Sequence, residues 1–166
     1  MKHNQGFTLV ELVIALAVLA VLSSIAYGSY TRYIVRNAEA QAVSRMQSLS
    51  MEMERFRSSR LTYKGFTPKK ISGGTESYAY EDGSKTVHTN DTKNRYIIAI
   101  TDVEGRAFGD ADADGSQWVM LATPNGEAMS AIKYKYFLSS TGQRCRSMLS
   151  DFSYTTDCTG AGVESW

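Results

Sequence analysis

Residues Gly6 to Tyr30 read "GFTLVELVIALAVLAVLSSIAYGSY". From Phe7 to Tyr27 nearly every position is apolar or small, and a helix needs about 20 such residues to cross the hydrocarbon of a bilayer. One residue is out of place in a plain anchor: Glu11. A carboxylate at membrane depth costs roughly 2.5–3.5 kcal/mol on insertion scales. The segment therefore carries a length that fits a membrane and a charge that a membrane resists.

Working outward, no proline occurs before Pro68, so nothing in the sequence stops the helix at Tyr27. Val35, Ala38, Ala42, Met46, Leu49, Met53 and Phe56 follow at steps of three and four, an apolar stripe along one face. Arg36, Glu39, Gln47, Glu54 and Arg57 occupy the other side. The spacing predicts one helix from Phe7 to Arg57, about 75 Å long at 1.5 Å per residue. Its first half is apolar all round; its second half is amphipathic and must be covered. Tyr27, Tyr30 and Tyr33 suit a membrane interface or packing against a soluble domain. Gly28 is the weak point, costing about 1 kcal/mol relative to alanine.

Beyond the helix, three runs read as strands: Tyr96–Thr101, Gln117–Thr123 and Lys133–Ser139, with turns at Pro124-Asn125-Gly126 and Thr141-Gly142. Ser77–Thr89 reads as a hairpin turning at Asp82-Gly83. An antiparallel sheet would cover the amphipathic half-helix. The fold class is therefore α+β: a long N-terminal α-helix and a small antiparallel β-sheet. The tail from Cys145 to Trp166 reads as irregular. Cys145 and Cys158 would pair in an oxidising compartment, closing a loop worth about 3 kcal/mol; the alternative is two buried thiols.

With 166 residues and a net charge of +1, the chain has room for one real core and no global pull toward nucleic acid. A basic segment, Arg60 to Arg95, holds Lys64, Lys69, Lys70, Lys85 and Lys93. With Arg144 and Arg146 it is the surface on which to test DNA binding, although such a patch is ordinarily a solvated face. "GDADADG" (Gly109–Gly115) places Asp110, Asp112 and Asp114 at the opening spacing of a calcium loop. The closing glutamate is missing, since Leu121 stands there; Asp102, Glu104 or a carbonyl would have to complete the shell, and the alternative is an acidic turn. No cofactor is required by any motif. His88 is the one histidine after the first six residues, and no nucleophile elbow, phosphate loop or His-Glu-x-x-His is present. The reading is of a non-enzyme.

Two interpretations of the first segment compete. Leu12–Leu22 with Ser24-Ile25-Ala26 is an acceptable secretory signal ending before Tyr27, but Glu11 and the lack of a basic cluster ahead of the run count against it. The other rests on likeness. Gly6, then Phe7-Thr8-Leu9-Val10-Glu11-Leu12, then the membrane-length run, resembles the N-terminus of type IV pilins and the related pseudopilins, residue by residue over about 25 positions. The resemblance implies a leader of residues 1–6 cut between Gly6 and Phe7 by a prepilin peptidase, N-methylation of Phe7, and a single-pass inner-membrane subunit that an assembly platform stacks into a surface filament. Its partners would be other pilin subunits and membrane lipid. It also gives Glu11 a role: pairing with the Phe7 amine of a neighbouring subunit, because an opposite charge relieves a desolvated carboxylate. The alternative is a protonated, unpartnered glutamate at the bilayer edge. Many members carry proline where this chain has Gly28, so local loosening of the helix on assembly is less assured here.

The C-terminal half is similar to PilE-like minor pilins of Gram-negative bacteria in "QWVMLATPNG", "KYFLSSTGQRC", the second cysteine and Trp166, though its first cysteine is displaced toward the tail. The resemblance implies residues 7–28 as the transmembrane and assembly half-helix and 29–166 as the exported globular domain. Within that domain lie the amphipathic half-helix (29–58), an αβ-loop (59–95), the sheet (96–139) and a cystine-bounded region (140–166). It implies a structural subunit, a minor pilin with roles in assembly, adhesion, twitching motility or DNA uptake. The alternative is a type II secretion pseudopilin, where calcium would fit well and the disulfide less so.

Overall fold

The computed structural model describes residues 8–72, 75–78, 86–89, 95–126, 131–152 and 158–166. One helix, α1, runs from Leu9–Arg60, 52 residues, with Glu11 in its first turn and Arg57 and Arg60 in its last. Thr8 is its N-cap: the Leu12 N–H donates to the Thr8 carbonyl at 3.2 Å, and the Glu11 N–H donates to Thr8 Oγ1 at 3.3 Å. The helix passes through Gly28 without a break. It ends where Leu61 takes a left-handed φ of 59° and its N–H donates to the Arg57 carbonyl at 2.7 Å. That is a C-terminal cap usually built on glycine.

The chain divides into two compact units between Asn37 and Ala38. The reason is where burial starts. Ala38, Ala42, Met46, Leu49 and Met53 are buried along α1, whereas the large apolar side chains from Leu9 to Ile25 are exposed. From Leu9 to Tyr30 α1 is therefore exposed, and it is long and apolar enough to cross a membrane.

In the second unit, β1 (Lys69–Ser72) and β2 (Thr75–Tyr78) form a separate two-stranded sheet. The main sheet has six antiparallel strands in chain order: β3 (Thr86–His88), β4 (Tyr96–Thr101), β5 (Val119–Pro124), β6 (Lys135–Ser139), β7 (Arg144–Ser147) and β8 (Val163–Ser165). The register puts Ile98, Ala122 and Tyr136 on one face with Ile100, Met120 and Leu138. Two residues before Met120, Trp118 donates its indole N–H to Glu54 of α1 at 3.3 Å, so this face is turned to the helix. The opposite face carries Leu121, Phe137 and Cys145 in register. There they pack with Val119 and Phe152, and with the partly buried Cys158 and Val163.

The structure corrects two expectations. Ser77 pairs with Lys70, and Val87 pairs with Ile98, so the two arms of the expected 77–89 hairpin belong to different sheets; its turn at 82–83 lies outside the described residues. The tail is not irregular either. It supplies β7 and β8, so the sheet extends from Thr86 to Ser165 rather than from 96 to 139. Neither tail strand has room for an alternating pattern, and both are held by their neighbours' ladders and by the Cys145–Cys158 disulfide.

Candidate assembly site

The site begins at the first turn of α1. Thr8 Oγ1 satisfies the Glu11 amide, one of the N–H groups that every helix leaves unpaired at its start. The Glu11 side chain is exposed, and its carboxylate has no partner among the described residues. It sits at the end of α1 where the helix dipole favours negative charge. Gly6 and Phe7 lie outside the described residues. Downstream, Tyr27, Tyr30 and Tyr33 are all exposed. Thr31 Oγ1 donates back to the Tyr27 carbonyl at 3.1 Å, so that carbonyl is shared beside Gly28. A β-carbon at Gly28 would meet nothing within 4 Å. The glycine is therefore not demanded by packing within the subunit.

The acidic run is organised from behind by a residue given only an auxiliary part in the sequence reading. Asp102 is fully buried. Its Oδ1 accepts the N–H groups of Glu104 (2.9 Å) and Arg106 (2.8 Å), and its Oδ2 accepts Arg106 Nε (2.9 Å) and the Asp114 N–H (2.9 Å). Burial pushes this carboxyl upward, but the hydrogen bonds from Asp114, Arg106 and Glu104 outweigh it and hold it below the usual aspartate range. Gly105, with φ 82°, makes the turn back.

Asp110, Asp112 and Asp114, the expected opening of a calcium loop, do not converge on one point among the described residues. Asp110 Oδ2 accepts the Ala107 N–H, and Asp114 accepts both the N–H and the hydroxyl of Ser116. Asp110 and Asp114 thus each accept from their own turn, and Asp112 is exposed beside them. Among the described residues no three carboxylate, His or Cys groups converge on a metal position. Gly115, expected as the sharp turn of a calcium loop, serves a close approach instead: a β-carbon there would collide with Thr62 Oγ1. Its carbonyl accepts the N–H of Tyr63 and the hydroxyl of Thr62.

Among the described residues, three of the basic side chains are engaged. Lys64 Nζ donates to the Ala111 carbonyl at 2.6 Å, Arg146 pairs with Glu164 at 2.8 Å and lies over the Tyr134 ring, and Arg144 lies over Trp166. The side chains of Lys69, Lys70, Lys85 and Lys93 lie outside what is described. Cys145 and Cys158 are joined as a disulfide. The indole N–H of Trp166 bridges the Phe137 and Cys145 carbonyls at 3.2 and 2.9 Å, which locks the C-terminus to the strand that carries the cystine.

Thr8 and Asp102 are the residues whose importance the sequence understated. Thr8 had a visible signal, the Thr-x-x-Glu spacing of a capping box. Asp102 had none, because its four donors come from a loop whose path only the fold reveals.

Comparison with known proteins bears on the first turn directly. Residues 1–27 match the family model of the prokaryotic N-terminal methylation motif. The chain is 29% identical to a fimbrial protein of Pseudomonas aeruginosa over 116 residues, covering 67% of this chain and 75% of that protein. It is 28% identical to fimbrial protein Q of Moraxella bovis, covering 65% and 64%. It is 30% identical to the type IV major pilin protein PilA of Myxococcus xanthus over 64 residues, covering 39% and 29%. No solved structure matches at comparable stringency.

Proposed function

We propose that this chain, which belongs to the type IV pilin family, is a minor pilin assembled through the first turn of α1. As a pilin it is anchored in the inner membrane by its N-terminal helix and later forms part of a surface pilus with other subunits. Its role is structural, not enzymatic. The observation that carries the assembly reading is the Glu11 carboxylate, without a partner among the described residues, at the capped start of a helix whose large apolar side chains from Leu9 to Ile25 are exposed.

In this reading the leader, residues 1–6, is removed between Gly6 and Phe7 by a prepilin peptidase, and Phe7 is N-methylated. Residues 7–28 cross the inner membrane, and residues 29–166 form the exported part. An α-amino group with a pKa near 8 is largely protonated at neutral pH. Glu11 then pairs with the Phe7 amine of a neighbour on the assembly platform, and the cost of its charge in lipid becomes selectivity for a correct partner. Gly28 serves as the point where the helix can open during packing. Minor status rests on the likeness of the C-terminal half to PilE-like minor pilins. Of the roles open to such a subunit, adhesion, motility, DNA uptake and assembly, the described residues speak to assembly.

N-terminal sequencing of the mature chain should return methyl-Phe7. Glu11→Ala should be exported and processed but enter filaments poorly; normal incorporation would overturn the reading. Quantitative proteomics of sheared filaments should find this chain far below the principal subunit. Parity would make it a major pilin, and its recovery with a secretion system instead of pili would make it a pseudopilin.

A further inference from the structure

We propose that a cavity at the C-terminal end of α1 binds a carboxylated sugar, a uronic acid residue of an acidic saccharide. The cavity has a volume of about 570 Å³ and is lined by Arg55, Phe56, Ser59 and Arg60 of α1 and by Phe66 and Thr67 of the turn that follows. The four helical residues share one face of α1, since they step by one, three and one. The buried stripe of Met46, Leu49 and Met53 lies beside that face, so the core does not use it. The turn is built without a ligand. Leu61 ends the helix at φ 59°, Gly65 turns at φ 78° and donates its N–H to the Phe108 carbonyl at 2.7 Å, and the Phe66 N–H donates to the Tyr63 carbonyl at 3.0 Å. The Phe66 ring then meets the Phe56 ring edge-on, with centroids 5.6 Å apart.

The chemistry of the lining selects the ligand. Arg60 lies over the Phe56 ring at 4.9 Å, and neither Arg55 nor Arg60 has a carboxylate partner among the described residues. Glu52 lines the same cavity and pairs with Arg45 at 3.4 Å. Two guanidinium groups against one carboxylate suit a ligand with a single negative charge, and Glu52 repels a doubly charged phosphate. The planar guanidinium fork matches a carboxylate in a way that a point charge does not. Ser59 Oγ donates to the Phe56 carbonyl at 2.9 Å, which leaves its lone pairs to accept from a ligand hydroxyl. Thr67 adds a second hydroxyl, and the phenyl rings give an apolar wall for the C–H groups of a sugar ring. One carboxylate, several hydroxyls and an apolar ring face are the groups of a uronic acid, and pockets of this size hold small ligands. An acidic peptide would need main-chain partners, and the helical wall spends its N–H and C=O groups on itself.

The test is titration calorimetry of the detergent-solubilised full chain with digalacturonate at neutral pH and low salt. Binding should saturate, and the methyl ester of the same disaccharide, which keeps the rings and loses the charge, should bind at least about tenfold more weakly. Arg55→Gln and Arg60→Gln should each weaken binding by about tenfold or more, and Arg60→Lys should not restore it. Ser59→Trp removes no charge but fills the cavity, and it should abolish binding; it keeps the proposal open to refutation if an arginine variant fails to fold. Inorganic phosphate and a glutamate-rich peptide serve as competitors, and neither should displace the disaccharide at equal concentration. The proposal is overturned if binding does not saturate at millimolar concentrations, if the ester binds as well as the acid, or if the Ser59→Trp protein binds like the parent. Displacement by phosphate would make the cavity a general anion site, and displacement by the peptide would make its partner a protein; either result also overturns it.

Discussion

Asp114 donates its backbone N–H to the buried carboxylate of Asp102 at 2.9 Å, across twelve residues of chain. This bond ties the end of the acidic run to the end of β4, and with the three bonds from Glu104 and Arg106 it makes the loop a built structure. Asp102→Asn turns an N–H₂ toward these donors. It should lower unfolding free energy by roughly 2–4 kcal/mol, because buried donors lose an ionised acceptor. Urea unfolding of the purified chain in detergent would measure it.

The same carboxylate predicts a pH dependence. Its folded-state pKa is depressed, so its contribution is fully present above the unfolded aspartate value near 4 and is lost as pH falls through the folded value. Stability should therefore fall below about pH 5. The fall should be shallower in Asp102→Asn, and equal slopes in the two proteins would refute the assignment.

Reduction of Cys145–Cys158, or replacement of both by serine, reopens a loop with a sequence separation of 13. The expected loss is about 3 kcal/mol. It should be read at the C-terminus first, since Phe152 packs on Phe137 across the face that the cystine holds shut. Protection of the 145–166 amides should fall before that of β4 and β5.

Leu61 holds a left-handed φ of 59° with its side chain 88% exposed. Leu61→Gly removes a steric cost of roughly 1–2 kcal/mol, partly offset by the extra freedom of glycine in the unfolded chain. A net gain of about 0.5–1 kcal/mol is expected, visible as a raised denaturation midpoint.

At Gly28 a methyl group has open space. Gly28→Ala should leave the fold intact and slow amide exchange around residues 24–32 by about fivefold, matching the helix propensity difference of about 1 kcal/mol. If opening at this point is used in packing subunits, the same variant should assemble more slowly.

What was legible in the sequence follows from how each element is stabilised. The stripe from Ala38 to Met53 repeats over many turns, and all five of its central positions are buried. β4 occupies Tyr96–Thr101 as expected, because its six residues are enough to display an alternating pattern. β7 and β8 could not be read, because Arg-Cys-Arg-Ser and Val-Glu-Ser are strands by virtue of what they pair with. The Asp-x-Asp-x-Asp run resembled a metal loop because spacing is visible in a sequence and hydrogen-bond direction is not. Asp110 and Asp114 accept backbone N–H groups of their own turns, and the Asp114 N–H is itself held by Asp102, twelve residues back.

The chain-order arrangement of the six main strands has a consequence for export. Each strand from β4 onward is hydrogen-bonded to the one that left the membrane before it, so none has to wait, unpaired, for a partner still to come. A chain tethered by its N-terminal helix can zip its sheet in the order of emergence. Each closure in the main sheet joins consecutive strands, the widest being the 102–118 connection between β4 and β5. β8 and Trp166, which emerge after the other strands, arrive beside Cys145. Closure of this edge of the sheet is thereby coupled to arrival of β8, so a subunit halted before it would be recognisable by a sheet that ends one strand short.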